Sequence, residues 1–211
     1  VGKWHLGKRA AYPERHGFDE NFGGCEQGMP MQGYFSPYGI PTLPEPAEEG
    51  VYLTDYLSRH AAGLIDEHTA AGSSQPFFLN MWFYSVHTPI QAKAPDVEYF
   101  EHKARVLGID QKDPFQVGNR HPLESHRDAR ITRRVIQSDP TYAAMIRAMD
   151  QGVGRIMDAL RRNGLEENTL VIFTSDNGGV SSLTGEPVTS PDFYPTILEA
   201  AGCDLVPEQH S

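Results

Sequence analysis

Two short apolar runs, each followed by polar residues, constrain the fold of this chain most strongly. The first reads FFLNMWFYSV from Phe77 to Val86, and the second reads TLVIFT from Thr169 to Thr174. Short runs of branched and aromatic residues without polar alternation are typical of strands that are buried on both faces of a parallel sheet. Both runs are therefore predicted to be buried strands.

Helical patterns lie on either side of these runs. Apolar residues recur at three- and four-residue spacing over about 54–70 and over 140–163, and a third helix is predicted over about 191–201. Asp139 is suited to cap the second of these helices, and Gly164 is suited to the position after its end. The alternation of helices and buried strands predicts an α/β fold, a layered domain with a mainly parallel central sheet flanked by helices.

In two further segments the apolar residues recur with neither helical nor strand spacing. Residues 23–50 are rich in Gly and Pro, which break both helical and strand periodicity, and we interpret them as an irregular surface loop. Residues from about 96 to 138 are highly charged, and we interpret them as short helices and loop.

The composition excludes several functional classes. The chain has 18 Lys and Arg against 28 Asp and Glu, a net charge of −10, which repels phosphate backbones and argues against binding to nucleic acid. The apolar runs fall well short of the roughly 18 residues that a membrane span requires. A hydrophobic share of 39% supports a real core and excludes global disorder.

The residues that follow the two runs are candidates for a site, because parallel sheets bind ligands at the carboxyl ends of their strands. Asp176 and Asn177 offer a carboxylate and an amide oxygen, which suit a hard cation such as Ca²⁺ or Mg²⁺. The alternative is a plain turn, since Asp-Asn-Gly is common turn chemistry. His87 could donate a proton or bind an anion, or it could simply tie the strand end to the next loop.

A third candidate is the segment GKWHLG near the start of the chain. Lys3 and His5 are two residues apart, so in an extended segment both side chains would point the same way and could clamp an oxyanion. The alternative is a frayed basic segment, which Lys8 and Arg9 would continue.

Five segments, in this order, resemble the type I sulfatases, the formylglycine-dependent branch of the alkaline-phosphatase superfamily. The resemblance covers nearly the whole chain and implies an alkaline-phosphatase-like fold and a sulfuric ester hydrolase that cleaves sulfate monoesters. The segments are GKWHLG (2–7), GFDENFGG (17–24), PFFLNMWFYSVHTPIQA (76–92), FTSDNGG (173–179) and EPVTSPDFYPTILEAAG (186–202).

The resemblance also implies roles for individual residues. Lys3 and His5 would contact the sulfate group, and His87 would contact the sulfate or the leaving group. Asp176 and Asn177 would ligate a single Ca²⁺. Cationic groups and a metal would neutralise the charge on the sulfate oxygens, and a protonated His or Lys near the bridging oxygen would act as general acid.

Parts of the family pattern are not found in this sequence. The family's nucleophile is a formylglycine made from C-x-[PA]-x-R or S-x-[PA]-x-R, and neither Cys25 (CEQGM) nor Cys203 (CDLVP) fits. We expect that motif, with an Asp pair completing the metal site, upstream of GKWHLG, and a further missing segment between 179 and 186. Residues 1–211 are therefore interpreted as a partial sulfatase catalytic domain, without its N-terminal strands and inactive by itself.

The expected partner is a small-molecule or glycan sulfate ester. A carbohydrate is favoured because Tyr34, Phe35 and Tyr38 could stack on sugar rings, although loop tyrosines more often simply pack. One alternative is a phosphate or phosphonate ester hydrolase of the same superfamily, and another is a non-catalytic remnant that binds anions. The resemblance implies a periplasmic, lysosomal or extracellular location, and the sequence does not indicate an oligomeric state.

Overall fold

The computed structural model describes residues 1–120 and 130–174. The chain divides into two compact units, one formed by Val1–Lys112 with Ser138–Glu167 and the other by Asp113–Gln137 with Asn168–Ser211. The helix predicted over 191–201 lies outside the described residues, as do Asp176 and Asn177.

Three helices belong to the first unit: α1 (Leu53–Ala70), α2 (Ala94–Leu107) and α3 (Pro140–Arg162). The predictions of α1 and α3 are confirmed to within one residue at each end. The predicted cap of α3 is also present, because the Asp139 Oδ1 accepts a hydrogen bond from the Tyr142 N–H at 3.0 Å. Within the part of the chain that the structure describes, no helix combines the length and the apolar character needed to cross a membrane.

The prediction of short helices and loop over about 96–138 is wrong for the described part of that range. It contains most of α2, a single helix of 14 residues, in which only Ala104 is buried. Val97, Phe100 and Ala104 recur at helical spacing, but this stripe is short and lies among many charged residues, so the periodicity is weak. The range also contains β1 (Phe115–Arg120) and β2 (Arg130–Arg134), which pair antiparallel in the second unit.

Charged side chains tie the three helices together. The Lys93 Nζ lies 2.9 Å from the Asp55 Oδ2 and 3.8 Å from the Asp96 Oδ2, so it links α1 to the start of α2. Arg155 and Arg147 on α3 approach the same two carboxylates, at 2.9 Å from the Asp55 Oδ1 and 3.4 Å from the Asp96 Oδ1. Both aspartates are largely buried, so water screens these ion pairs less than it would at an open surface.

Residues 23–50 are irregular, as predicted, but they do not form a surface loop. Their apolar side chains contribute much of the main core, where they pack against α1 and α3. Tyrosine hydroxyls donate hydrogen bonds to backbone carbonyls of these irregular segments. Tyr38 donates to the Val51 carbonyl at 2.9 Å and Tyr84 to the Gly23 carbonyl at 2.8 Å. The buried apolar side chains that residues 23–50 contribute to the main core are Cys25, Tyr34, Tyr38, Ile40 and Leu43.

Neither apolar run forms the predicted buried strand in the described residues. The first run is extended and makes one isolated parallel bridge, between Trp82 and Gly2. The second is not paired in a sheet, and its residues 170–173 are 40 to 70% exposed. A strand requires a neighbour for its backbone N–H and C=O groups, and the described residues supply only that one bridge to the first run.

The buried tyrosines predict a loss of stability at alkaline pH. Burial raises the pKa of Tyr52 to about 12, whereas in an unfolded chain a tyrosine ionises near pH 10. Above pH 10 the unfolded state therefore binds fewer protons than the folded state, and the free energy of unfolding falls as the pH rises towards 12. The contribution of Tyr52 is about 1.4 kcal/mol per pH unit. Urea unfolding of the protein at pH 9 to 12 measures this slope.

Tyr52→Phe should make that slope shallower, because the ring stays buried while its titration is removed. Tyr99 is 51% exposed, so Tyr99→Phe is the matched control and should leave the slope unchanged. An equal slope for the wild type and both variants would contradict the prediction.

Candidate functional site

Lys3 lies on a segment that runs parallel to the first apolar run. The Trp82 N–H donates to the Val1 carbonyl at 2.9 Å, and the Lys3 N–H donates to the Trp82 carbonyl at 2.8 Å. Between them, Gly2 has a φ of 95°, and a Cβ at that position would lie 1.9 Å from the Trp82 oxygen. Only glycine permits this contact, which fixes Lys3 beside the segment that leads to His87.

His5 is exposed, and its ring lies directly over Gly28. The His5 N–H donates to the Cys25 carbonyl at 2.8 Å, which anchors the backbone of the segment. A Cβ at Gly28 would lie 2.6 Å from the His5 Cε1 and 2.7 Å from its Nδ1. The His5 imidazole therefore packs directly against the Gly28 backbone, and any side chain at position 28 would displace the ring.

His87 is also exposed, and it stands on a turn that follows the first apolar run. Its N–H donates to the Tyr84 carbonyl at 3.0 Å, which closes the turn. Its Nδ1 lies 3.1 Å from the Thr88 carbonyl. The same Nδ1 lies 3.2 Å from the Thr88 hydroxyl, which can donate or accept, so both ring contacts of His87 in the described residues involve Nδ1.

The loop over residues 25–29 connects the surroundings of the two histidines. Gly28 lies beneath the His5 ring, and the Sδ of its neighbour Met29 lies 3.9 Å from the Thr88 Oγ1, next to His87. The His5 ring and the residue after His87 thus contact the same loop, and Lys3 lies two residues from His5 on the adjoining segment. Sequence reasoning missed Gly28 and Met29, since loop residues carry no periodic signal of such long-range contacts.

Tyr34 lies beneath the turn that carries His87. Its hydroxyl is 2.6 Å from the Tyr84 carbonyl and 2.9 Å from the His87 carbonyl. Burial raises the pKa of Tyr34 well above its usual range, so the hydroxyl keeps its proton and acts as a donor. The expectation that Tyr34 and Tyr38 stack on sugar rings is wrong, because both side chains are 0% exposed.

The described residues do not contain the predicted metal ligands. No group of three or more His, Cys, Asp or Glu that could hold a metal ion occurs within residues 1–120 and 130–174. Asp176 and Asn177 lie outside these ranges, so their role as calcium ligands stays a prediction. Burial raises the pKa of the Cys25 thiol, and a buried protonated thiol is poorly suited to act as a nucleophile.

The arrangement is suited to binding an anion. Lys3 forms no ion pair with the described residues, so its ammonium is not neutralised there by a carboxylate. Two exposed imidazoles accompany it, and each can donate hydrogen bonds when protonated. Such a group of donors can stabilise the negative charge of a tetrahedral oxyanion.

Comparisons with known proteins give the family. The sequence profile of the sulfatase family matches residues 1–186. Arylsulfatase J from Mus musculus is 25% identical over 197 residues, which cover 88% of this chain and 27% of that protein. N-acetylgalactosamine-6-sulfatase from Canis lupus familiaris is 30% identical over 195 residues, which cover 84% of this chain and 30% of that protein. The chain thus spans less than a third of the length of these relatives.

A solved structure gives the fold. The crystal structure of Ps i-CgsB in complex with k-i-k-neocarrahexaose matches with a TM-score of 0.63 at 26% identity, covering 99% of this chain and 51% of that chain. This likeness confirms the predicted fold class, an alkaline-phosphatase-like α/β domain of which this chain is a part. Because the family profile covers most of its residues, the chain belongs to the sulfatase family.

Proposed function

We propose that the protein to which this chain belongs hydrolyses sulfate monoesters. The observation that carries the proposal is the position of His5 and His87 beside the same loop, residues 25–29. Lys3 lies two residues from His5 on a segment that is hydrogen-bonded to the run preceding His87. One cation and two protonatable groups in a family that acts on sulfate esters form a coherent site for a sulfate anion.

Each of these residues has a distinct role in the proposed reaction. Lys3 and His5 hold non-bridging oxygens of the sulfate and offset the negative charge that these oxygens carry. His87 donates a proton from Nε2, the ring nitrogen that does not contact Thr88, to the bridging oxygen. The departing alcohol then leaves in its neutral form, which lowers the barrier to cleavage.

Two further groups complete the proposal. Asp176 and Asn177 provide oxygen donors of the kind that Ca²⁺ prefers, and a calcium ion held there would offset charge on the sulfate oxygens. A formylglycine outside residues 1–211 would supply the nucleophile, since no cysteine or serine of this chain has the motif from which it is made.

A sulfated carbohydrate is the proposed substrate class. Support comes from the similarity to a structure that contains neocarrahexaose and to an enzyme named for N-acetylgalactosamine 6-sulfate. The buried tyrosines of residues 23–50 do not contribute to this argument, because a fully buried ring cannot stack on a sugar.

The experiment that tests the function compares esters of the same alcohol. The purified full-length protein should hydrolyse 4-nitrophenyl sulfate and sulfated oligosaccharides, with little activity on 4-nitrophenyl phosphate. His87→Asn should lower kcat by roughly 100-fold, since general acid catalysis contributes 10²–10⁴-fold. The exposed His102 on α2 provides the matched control, and His102→Asn should retain full activity. A preference for the phosphate ester, or an unchanged kcat in His87→Asn, would overturn the proposal.

A second prediction concerns Gly28, against which the His5 ring packs. Gly28→Ala places a methyl group where the His5 ring lies, so the ring must move and kcat/KM for the sulfate ester should fall by roughly tenfold or more. A Cβ at Gly63 on α1 would meet no neighbouring group within 4 Å, so Gly63→Ala should keep wild-type kcat/KM. Full activity in Gly28→Ala would show that the position of the His5 ring does not matter for turnover.

A further inference from the structure

We propose that Tyr34 is a positioning residue, which holds His87 in the orientation needed for proton donation to the leaving group. This inference rests on the proposed function and assigns a role to a residue that does not itself touch the substrate. Its basis is the pair of contacts that the Tyr34 hydroxyl makes with the turn carrying His87.

The hydroxyl of Tyr34 contacts both ends of that turn. It lies 2.6 Å from the Tyr84 carbonyl and 2.9 Å from the His87 carbonyl. The same Tyr84 carbonyl also accepts the His87 N–H at 3.0 Å. A phenol has one proton, so the two carbonyls share a single donor, and loss of the hydroxyl would leave the turn closed by the His87 N–H alone.

Tyr34 is itself held in place by its backbone. Its N–H donates to the Gln91 Oε1 at 2.9 Å, and its carbonyl accepts the Leu53 N–H at the start of α1, at 2.8 Å. Its ring is stacked against the ring of Tyr52 at a centroid distance of 5.9 Å, and the Tyr52 hydroxyl donates to the Gln91 carbonyl at 2.8 Å. Tyr34 therefore connects a rigid helix end to the turn, and Gln91 fixes the chain just beyond the turn.

The His87 side chain depends on this support because it has few contacts of its own. It is exposed, and the hydrogen bonds of its ring go to Thr88, the next residue on the same turn. The direction of the imidazole is therefore set by the backbone of residues 84–88. A small displacement of a proton donor lowers the rate of the chemical step while ground-state binding changes little.

The test uses Tyr34→Phe in the full-length protein, with Tyr38→Phe as the matched control. Tyr38 belongs to the same core cluster and is also fully buried, but its hydroxyl donates to the Val51 carbonyl, away from His87. Each variant keeps its ring and loses one hydroxyl, which contacts two carbonyls in Tyr34 and one in Tyr38, so both should unfold at lowered temperatures. A purely structural role would lower the stability of each variant and leave kcat of the folded protein unchanged.

Steady-state kinetics distinguish a positioning role of Tyr34 from a purely structural role. Tyr34→Phe should lower kcat by roughly tenfold with KM within about twofold of wild type, and the loss should be larger for sulfate esters with poor leaving groups. Tyr38→Phe should keep kcat within about twofold. Equal kcat values in the two variants, or a leaving-group dependence unchanged from wild type in Tyr34→Phe, would overturn the proposal.

A spectroscopic readout does not depend on turnover. In protein labelled with ¹³C at the histidine Cε1, the signal of His87 is assigned by its absence in His87→Asn. Tyr34→Phe should shift this signal, and Tyr38→Phe should not; an unmoved signal in Tyr34→Phe would refute the contact between Tyr34 and His87. If the full-length wild type cleaves no sulfate ester, the proposed function fails, while this spectrum still decides whether Tyr34 positions His87.

Discussion

Hydrogen bonds from buried tyrosine hydroxyls to backbone carbonyls hold the irregular part of this protein together. Residues 23–50 and the turn around His87 have no regular secondary structure, yet they lie against the core of the first unit. A buried carbonyl without a donor costs free energy, and Tyr34, Tyr38 and Tyr84 supply donors to this part of the backbone. These contacts allow a segment without helix or strand to serve as a precise support for a site.

The two long helices could be predicted from the sequence because their signal is local. In α3, the spacing of the apolar residues, the Asp139 cap and the residue after the helix end all lie within one segment of chain. The exposed helix α2 could not be predicted in the same way, because it buries a single residue. The two apolar runs were predicted as strands. A strand forms only when a second segment pairs with its backbone, and the residues of the run do not specify that second segment.

In the candidate site too, residues that belong to local motifs could be predicted from the sequence, whereas residues that act through long-range contacts could not. Lys3, His5 and His87 were predicted from motifs that can be read along the chain, and in the structure His5 and His87 lie beside the same loop, residues 25–29. Gly28 was not predicted as part of the site, and Tyr34 was considered only as a ring that could stack on a sugar, because their contacts are with residues 23 and 53 positions away in the sequence. Asp176 and Asn177 were predicted as calcium ligands from the family resemblance, and that role stays a prediction.

The central claim is that Lys3, His5 and His87 hold one sulfate anion. The most direct test is a crystal structure of the full-length protein soaked in selenate, a sulfate analogue whose selenium atom is located by anomalous scattering. We expect one anomalous peak, with selenate oxygens within about 3 Å of the Lys3 Nζ and of ring nitrogens of His5 and His87. Selenate bound at another place, with these three side chains turned away from one another, would contradict the claim.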